Sequence, residues 1–220
     1  NNFNILKRSR DSLWVGWPGI DVDPGEQSEL REFLQQEREF VPVFIDEKRF
    51  DRFYTGFCKH ILWPLFHSSS PTTDDTIMTH AFDDEEEETD KQKLWHAYVS
   101  VNQAFADTIQ DVYEPGDLIW VQDYHFLLLP QMLRNLLPSA RIGFFLHVPF
   151  PSSELYRIMP YREEILTGLL HADLIGFQTF DYARHFLASC ESILFCETSP
   201  QSVEFRDHST GICICPVGID

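Results

Sequence analysis

Basic residues are scarce in this chain, and the shortage excludes several functions. Lys and Arg number 17 against 35 Asp and Glu, a net charge of −18 over 220 residues. A field of that sign repels nucleic acid and anionic membranes. Phosphate-binding signatures are also missing: there is no Gly-x-Gly-x-x-Gly and no Walker loop, and no Gly-x-Ser-x-Gly elbow offers a nucleophile. Cysteine is sparse and odd in number. Cys58, Cys190, Cys196, Cys213 and Cys215 include no Cys-x-x-Cys pair, so neither a disulfide framework nor a zinc finger is expected. No apolar run is long enough to cross a membrane and no signal peptide is visible. No Asn-x-Ser/Thr sequon occurs. Together these point to a cytoplasmic protein with reduced thiols that lack metal-ligand spacing.

What is present is an aromatic interior: 43% of residues are hydrophobic, 19 of them phenylalanine. The length suits one domain with a sizeable core. Asn1 to Asp11 reads as the end of a helix, followed by a strand at Leu13-Trp14-Val15. A helix over Ser28–Glu37, a strand over Val41–Ile45 and a helix over Glu47–Leu62 come next, the last breaking at Pro64. Ser68 to Asp90 has no periodicity and contains six consecutive acids, Asp83 to Glu88; it reads as an acidic disordered insertion. A helix over Gln92–Val112 precedes a β-α-β alternation: strand 118–122, helix 125–137, strand 141–146, helices 153–159 and 162–171, strand 173–177, helix 180–193. Thr198 to Cys215 reads as a hairpin or loop and a final strand. The pattern predicts an α/β fold, a Rossmann-like doubly wound parallel sheet.

Two strands end in polar groups, Ile119-Trp120-Val121-Gln122-Asp123 and Phe144-Phe145-Leu146-His147. Ligands sit outside the carboxyl ends of such strands. Asp123 is either a helix N-cap or a carboxylate accepting hydrogen bonds from sugar hydroxyls. His147 is either a core histidine or a ligand-facing one, its chain direction fixed by Pro149 and Pro151. Trp63 either anchors the insertion or, with Tyr54 two and a half turns earlier, donates to a phosphate. Trp17, in a Gly-Trp-Pro-Gly turn, is either a pocket wall or a surface aromatic.

The chain resembles the amino-terminal half of trehalose-6-phosphate synthases, retaining glycosyltransferases of the two-domain glycosyltransferase-B fold. The resemblance rests on Trp14-Val15-Gly16-Trp17-Pro18-Gly19, Phe53-Tyr54-Thr55-Gly56-Phe57 and Leu62-Trp63-Pro64-Leu65-Phe66-His67. It continues through Trp120-Val121-Gln122-Asp123-Tyr124-His125, Gly143 to Pro151, Asp173 to Thr179 and Pro216-Val217-Gly218-Ile219. It implies glucosyl transfer from UDP-glucose to glucose 6-phosphate, with no cofactor and no metal. By the same resemblance Tyr54 and Trp63 contact the acceptor phosphate, Trp17 lines that pocket, Asp123 holds acceptor hydroxyls and His147 lies by the donor glucose.

The family opens with a strand carrying an Asn-Arg pair and a glycine-rich loop, neither of which occurs here, and Gln122 stands where a histidine is usual. Residues 1–220 are therefore expected to form a single N-terminal domain, incomplete at both ends and inactive alone. Its expected partners are a missing C-terminal glycosyltransferase domain and a trehalose-phosphatase domain or subunit. The alternatives are a non-catalytic sugar-phosphate sensor or regulatory subunit, and a glycosyltransferase of the same fold with another acceptor.

Overall fold

The computed structural model describes residues 12–67 and 90–218. The expected helix end at Asn1–Asp11 and nearly all of the acidic insertion lie outside them; Asp90, assigned to the insertion, opens a helix instead. The chain begins with β1 (Trp14–Gly16), α1 (Gln27–Arg38) and β2 (Phe40–Pro42). β1 and β2 pair in parallel as a separate two-stranded sheet. A long helix follows in three parts: α2 (Glu47–Asp51), a π-helical stretch over Arg52–Leu62, and α3 (Trp63–Phe66). Asp46 caps its start by accepting from Arg49 N–H at 2.9 Å.

The helix does not break at Pro64 as the sequence suggested. It runs on to Phe66, with Pro64 just past the junction of the π and α windings.

α4 (Asp90–Val112) leads into β3 (Leu118–Gln122). The expected helix over 125–137 is two elements, a 3₁₀ turn at Tyr124–Phe126 and α5 at Leu129–Leu136. Then come β4 (Arg141–Leu146), α6 (Ser153–Tyr156), α7 (Arg162–Leu169), β5 (Leu174–Phe177), α8 (Phe180–Ser189) with a π turn to Leu194, β6 (Glu197–Ser199), β7 (Ser202–Phe205) and β8 (His208–Ile214). The main sheet runs β3-β4-β5-β8-β7-β6. Its first four strands are parallel, and β7 and β6 are added through two antiparallel pairings.

The parallel strands step in one direction, and right-handed crossovers between such strands place their helices on one face. Period-two alternation shows which side that is. Val121, Ile142, Phe144, Leu146, Ile175 and Phe177 are buried, whereas Leu118, Trp120 and Leu174 are exposed. The buried side continues through Phe150, Tyr156 and Phe186, whose rings meet at 5.0–5.3 Å. Arg134 of α5 ties the sheet's amino-terminal edge, with a 2.9 Å ion pair to Asp173 and a 2.7 Å hydrogen bond to Ala140 O.

Gly168 shows how closely α7 approaches the segment after β3. A Cβ there would lie 2.6 Å from Leu127 O and 3.1 Å from the Leu128 Cα. Both are backbone atoms that cannot swing away. Gly168→Ala is expected to lower stability by about 1–3 kcal/mol through overpacking, read as a lower urea midpoint at unchanged slope.

Candidate functional site at the carboxyl edge of the sheet

β3 and β4 lie side by side, so Gln122 and Asp123 meet His147 at one sheet edge. Asp123 does not cap the helical turn that follows. Its carboxylate Oδ1 instead accepts the backbone N–H of His147 at 3.1 Å. Its own N–H donates to Phe145 O at 2.8 Å, and its carbonyl accepts from Phe126 N–H at 3.1 Å. These bonds hold Asp123 at φ 68°, ψ 174°, a region that only glycine visits readily and that costs other residues about 1–3 kcal/mol.

His147 is exposed, not a core histidine. Its Nε2 lies 2.8 Å from Gln122 Oε1. An amide oxygen only accepts, so in this contact Nε2 is the donor.

A run of rings joins the remaining candidates to this edge. Trp17 stacks on Phe50 at 3.6 Å, and Phe50 stacks on Tyr54 at 5.5 Å. Tyr54 stacks on His125 at 5.7 Å. His125 lies 4.1 Å from Tyr124, which meets Trp63 at 5.8 Å, and Trp63 stacks on His67 at 3.7 Å. Trp17 therefore belongs to this cluster and is not an isolated surface aromatic, and Trp63 keeps 45% of its surface exposed.

The π-helical stretch explains why Tyr54 and Trp63 can serve one place. In an α-helix nine residues make two and a half turns and set the pair on opposite sides. Here Trp63 N–H donates to Cys58 O, five residues back. Such winding holds more residues per turn, so nine residues make about two turns. Tyr54 and Trp63 then share a face, and so does Lys59 between them.

Lys59 was missed by the sequence reading. Its Nζ stands 4.6 Å from the centre of the Tyr54 ring. The signal for it was a five-then-four spacing, Tyr54–Lys59–Trp63, which means nothing unless the helix is known to be π.

Burial sets the electrostatics at this edge, and the Asp123 charge modifies it. Burial pushes the buried Cys58 thiol far up, and the Asp123 charge adds to it. Tyr124 is raised by burial, then by Cys58 and Asp123. Burial lowers the His125 imidazole, with Asp123 only partly opposing. A histidine held below its ordinary value stays neutral in the fold while the unfolded chain takes up a proton. Its contribution is therefore complete above about pH 6.5 and lost as pH falls below it. Thermal unfolding midpoints should drop between about pH 7 and about pH 5, and drop less in H125Q. Among the described residues no group of three or more His, Cys, Asp or Glu is placed to hold a metal, and no helix is long and apolar enough to cross a membrane.

The family model described as "Glycosyltransferase family 20" matches residues 1–220. The chain belongs to this family. A family 20 relative, the UDP-forming alpha,alpha-trehalose-phosphate synthase of Botryotinia fuckeliana, is 47% identical over 219 residues, 98% of this chain and 39% of that one. Among solved structures, the N-terminal domain of Candida albicans trehalose-6-phosphate phosphatase matches with a TM-score of 0.78 and 36% identity, over 94% of this chain and 41% of that chain. A Burkholderia xenovorans UDP-forming synthase in complex with glucose-6-phosphate matches with a TM-score of 0.72 and 27% identity, over 94% and 43% respectively. The chain thus spans about two fifths of each of these three. The α/β architecture with a parallel sheet expected from the sequence is the one observed, and it is shared with these two solved structures.

Proposed function

We propose that this chain forms the acceptor side of a UDP-forming trehalose-phosphate synthase, which moves glucose from UDP-glucose to glucose 6-phosphate. The observation that carries the reading is the run of rings from Trp17 to His67, with Lys59 beside it, ending at Asp123 and His147. A sugar phosphate needs a flat apolar floor, hydroxyl acceptors and a local cation, and this edge holds all three in a chain that is otherwise strongly acidic.

In this reading Tyr54 O–H, Trp63 N–H and Lys59 bind the phosphate. Trp17 walls the pocket, and its buried indole N–H has no hydrogen-bond partner among the described residues. Asp123 accepts from acceptor-sugar hydroxyls, and His147 offers Nδ1 to a hydroxyl of the donor glucose. Transfer with retention then depends on positioning, and on charge stabilisation at the leaving diphosphate. The groups for that second task would come from a C-terminal glycosyltransferase domain, and alone the present portion would be inactive. UDP-glucose is a substrate here, no metal takes part, and EDTA should leave the rate unchanged. We place the protein in the cytoplasm, in keeping with its five free cysteines.

The test is UDP release by the full-length protein, given UDP-glucose with and without glucose 6-phosphate. Release that requires glucose 6-phosphate supports the synthase. The match to a phosphatase N-terminal domain favours a second reading, a regulatory or sensing subunit of a trehalose synthase and phosphatase system. Calorimetric binding of glucose 6-phosphate without any UDP release would select that one. No binding and no release would sink both.

A further inference from the structure

We infer that Gln122 is a positioning residue for His147, holding its imidazole in one orientation through a seat built across three strands. The inference deepens the reading above, in which His147 faces the donor glucose, and rests on it. Gln122 and Gly176 both lie opposite Phe145, in the parallel registers of β3 with β4 and of β4 with β5. Residues paired across such a ladder share a face, and so do residues two apart along a strand. Gln122, Phe145, Gly176 and His147 therefore line one side of the sheet, the side that carries the exposed Trp120 and Leu174.

Each member has a separate task. Gln122 Oε1 accepts from His147 Nε2 at 2.8 Å. The Phe145 ring lies beside the imidazole, with centres 4.7 Å apart and planes at 58°. Phe145 is only 9% exposed although it stands on the open side, so its ring is packed in place. Gly176 makes room for that ring: a Cβ there would fall 2.5 Å from Phe145 Cδ2 and 3.0 Å from Cε2. Asp123, the charged group bonded to His147, takes its backbone N–H at 3.1 Å. His147 is thus held at its main chain by Asp123, at its ring by Phe145 and at its ring nitrogen by Gln122.

An exposed side chain otherwise changes rotamer within picoseconds to nanoseconds. A group that must meet a substrate hydroxyl gains when that freedom is given up before binding. Gln122 achieves this without adding a charge. In the reading above His147 Nδ1 accepts from a hydroxyl of the donor glucose. A neutral ring with its proton on Nε2 can do so, and an imidazolium cannot. The amide offers Nε2–H an acceptor and exerts no pull toward the imidazolium, whereas a carboxylate in its place would.

The experiment compares Gln122→Leu and Gln122→Glu with wild type in the full-length protein, by two readouts. The first is UDP release from UDP-glucose in the presence of glucose 6-phosphate, between about pH 6 and about pH 9. Gln122→Leu keeps the volume and removes the acceptor. Its kcat/KM for UDP-glucose should fall about 3- to 10-fold at every pH, with KM for glucose 6-phosphate unchanged. Gln122→Glu keeps both acceptor and reach, so it should match wild type at the alkaline end. Its activity should then fail at a higher pH than that of wild type as the solution is acidified, because the carboxylate favours the protonated ring. A mere packing defect would lower both variants alike and leave the acid limb where it was.

The second readout is imidazole NMR of the same proteins with labelled histidine, the His147 signal being assigned by its loss in His147→Gln. Its titration midpoint should rise by about one pH unit in Gln122→Glu. That shift does not depend on glucosyl transfer. A wild type that releases no UDP would sink the synthase reading, and the midpoint alone would then decide the seat. The inference is overturned if the midpoint in Gln122→Glu stays at the wild-type value, or if an active wild type and Gln122→Leu use UDP-glucose equally well.

Discussion

Asp123→Asn in the full-length protein should lose nearly all transfer while keeping its fold. The substitution removes a charge and almost no volume. Asparagine still offers Oδ1 to the His147 N–H now bonded at 3.1 Å, and it tolerates positive φ about as well as aspartate. The chemistry suffers more. A hydrogen bond to a charged group is worth about 1.5–3 kcal/mol, so two sugar hydroxyls held by this carboxylate correspond to a loss of about 100- to 10,000-fold. The check is UDP release at saturating glucose 6-phosphate beside a thermal melt. Turnover within threefold of wild type would remove Asp123 from the site. The strained backbone at this residue fits the assignment, since strain of this kind gathers at functional sites.

The second large effect belongs to Tyr98, which touches no proposed substrate. Its ring is completely buried. Its O–H donates to Tyr124 O at 2.8 Å, and its oxygen accepts from Leu127 N–H at 2.9 Å. One phenol therefore satisfies both ends of the turn that carries His125. Asn102 adds support from the same helix, donating to Tyr98 O at 2.9 Å and to His125 O at 3.1 Å. Tyr98→Phe leaves a buried carbonyl and a buried N–H unpaired, at about 1–3 kcal/mol for each such group. The expected cost is about 2–4 kcal/mol, seen in urea unfolding. A cost below about 1 kcal/mol would mean that water had entered and replaced the hydroxyl.

How much of this was legible in the sequence differs from element to element. β3, β4 and β5 stood out because each is a short apolar run bounded by polar or turn residues, and their ends placed Asp123 and His147 correctly. The helix over 125–137 was drawn as one element because Phe126, Leu127, Leu128 and Leu129 are uniformly apolar. Pro130, in the first turn of α5, marks the division, and the Tyr98 hydroxyl, 29 residues away along the chain, takes the Leu127 N–H just before it. The π winding was hidden for another reason. Phe50, Phe53, Tyr54, Phe57 and Ile61 fit an α period adequately, and one extra residue per turn leaves no compositional trace. With that register unknown, an α period set Tyr54 and Trp63 two and a half turns apart, so their pairing at a phosphate gained its support from the family resemblance, and Lys59 could not be found at all.

That eleven-residue stretch, Arg52–Leu62, also makes length a heritable trait of the site. Deleting one residue from it would leave a sound helix of nearly the same composition. The shortened helix could relax to ordinary α winding, and Tyr54 would swing away from Trp63 while every named side chain was still present. Inserting a residue elsewhere could not repair it. Among relatives of this chain, the count of residues between Tyr54 and Trp63 should therefore drift more slowly than the identities of the residues that fill it.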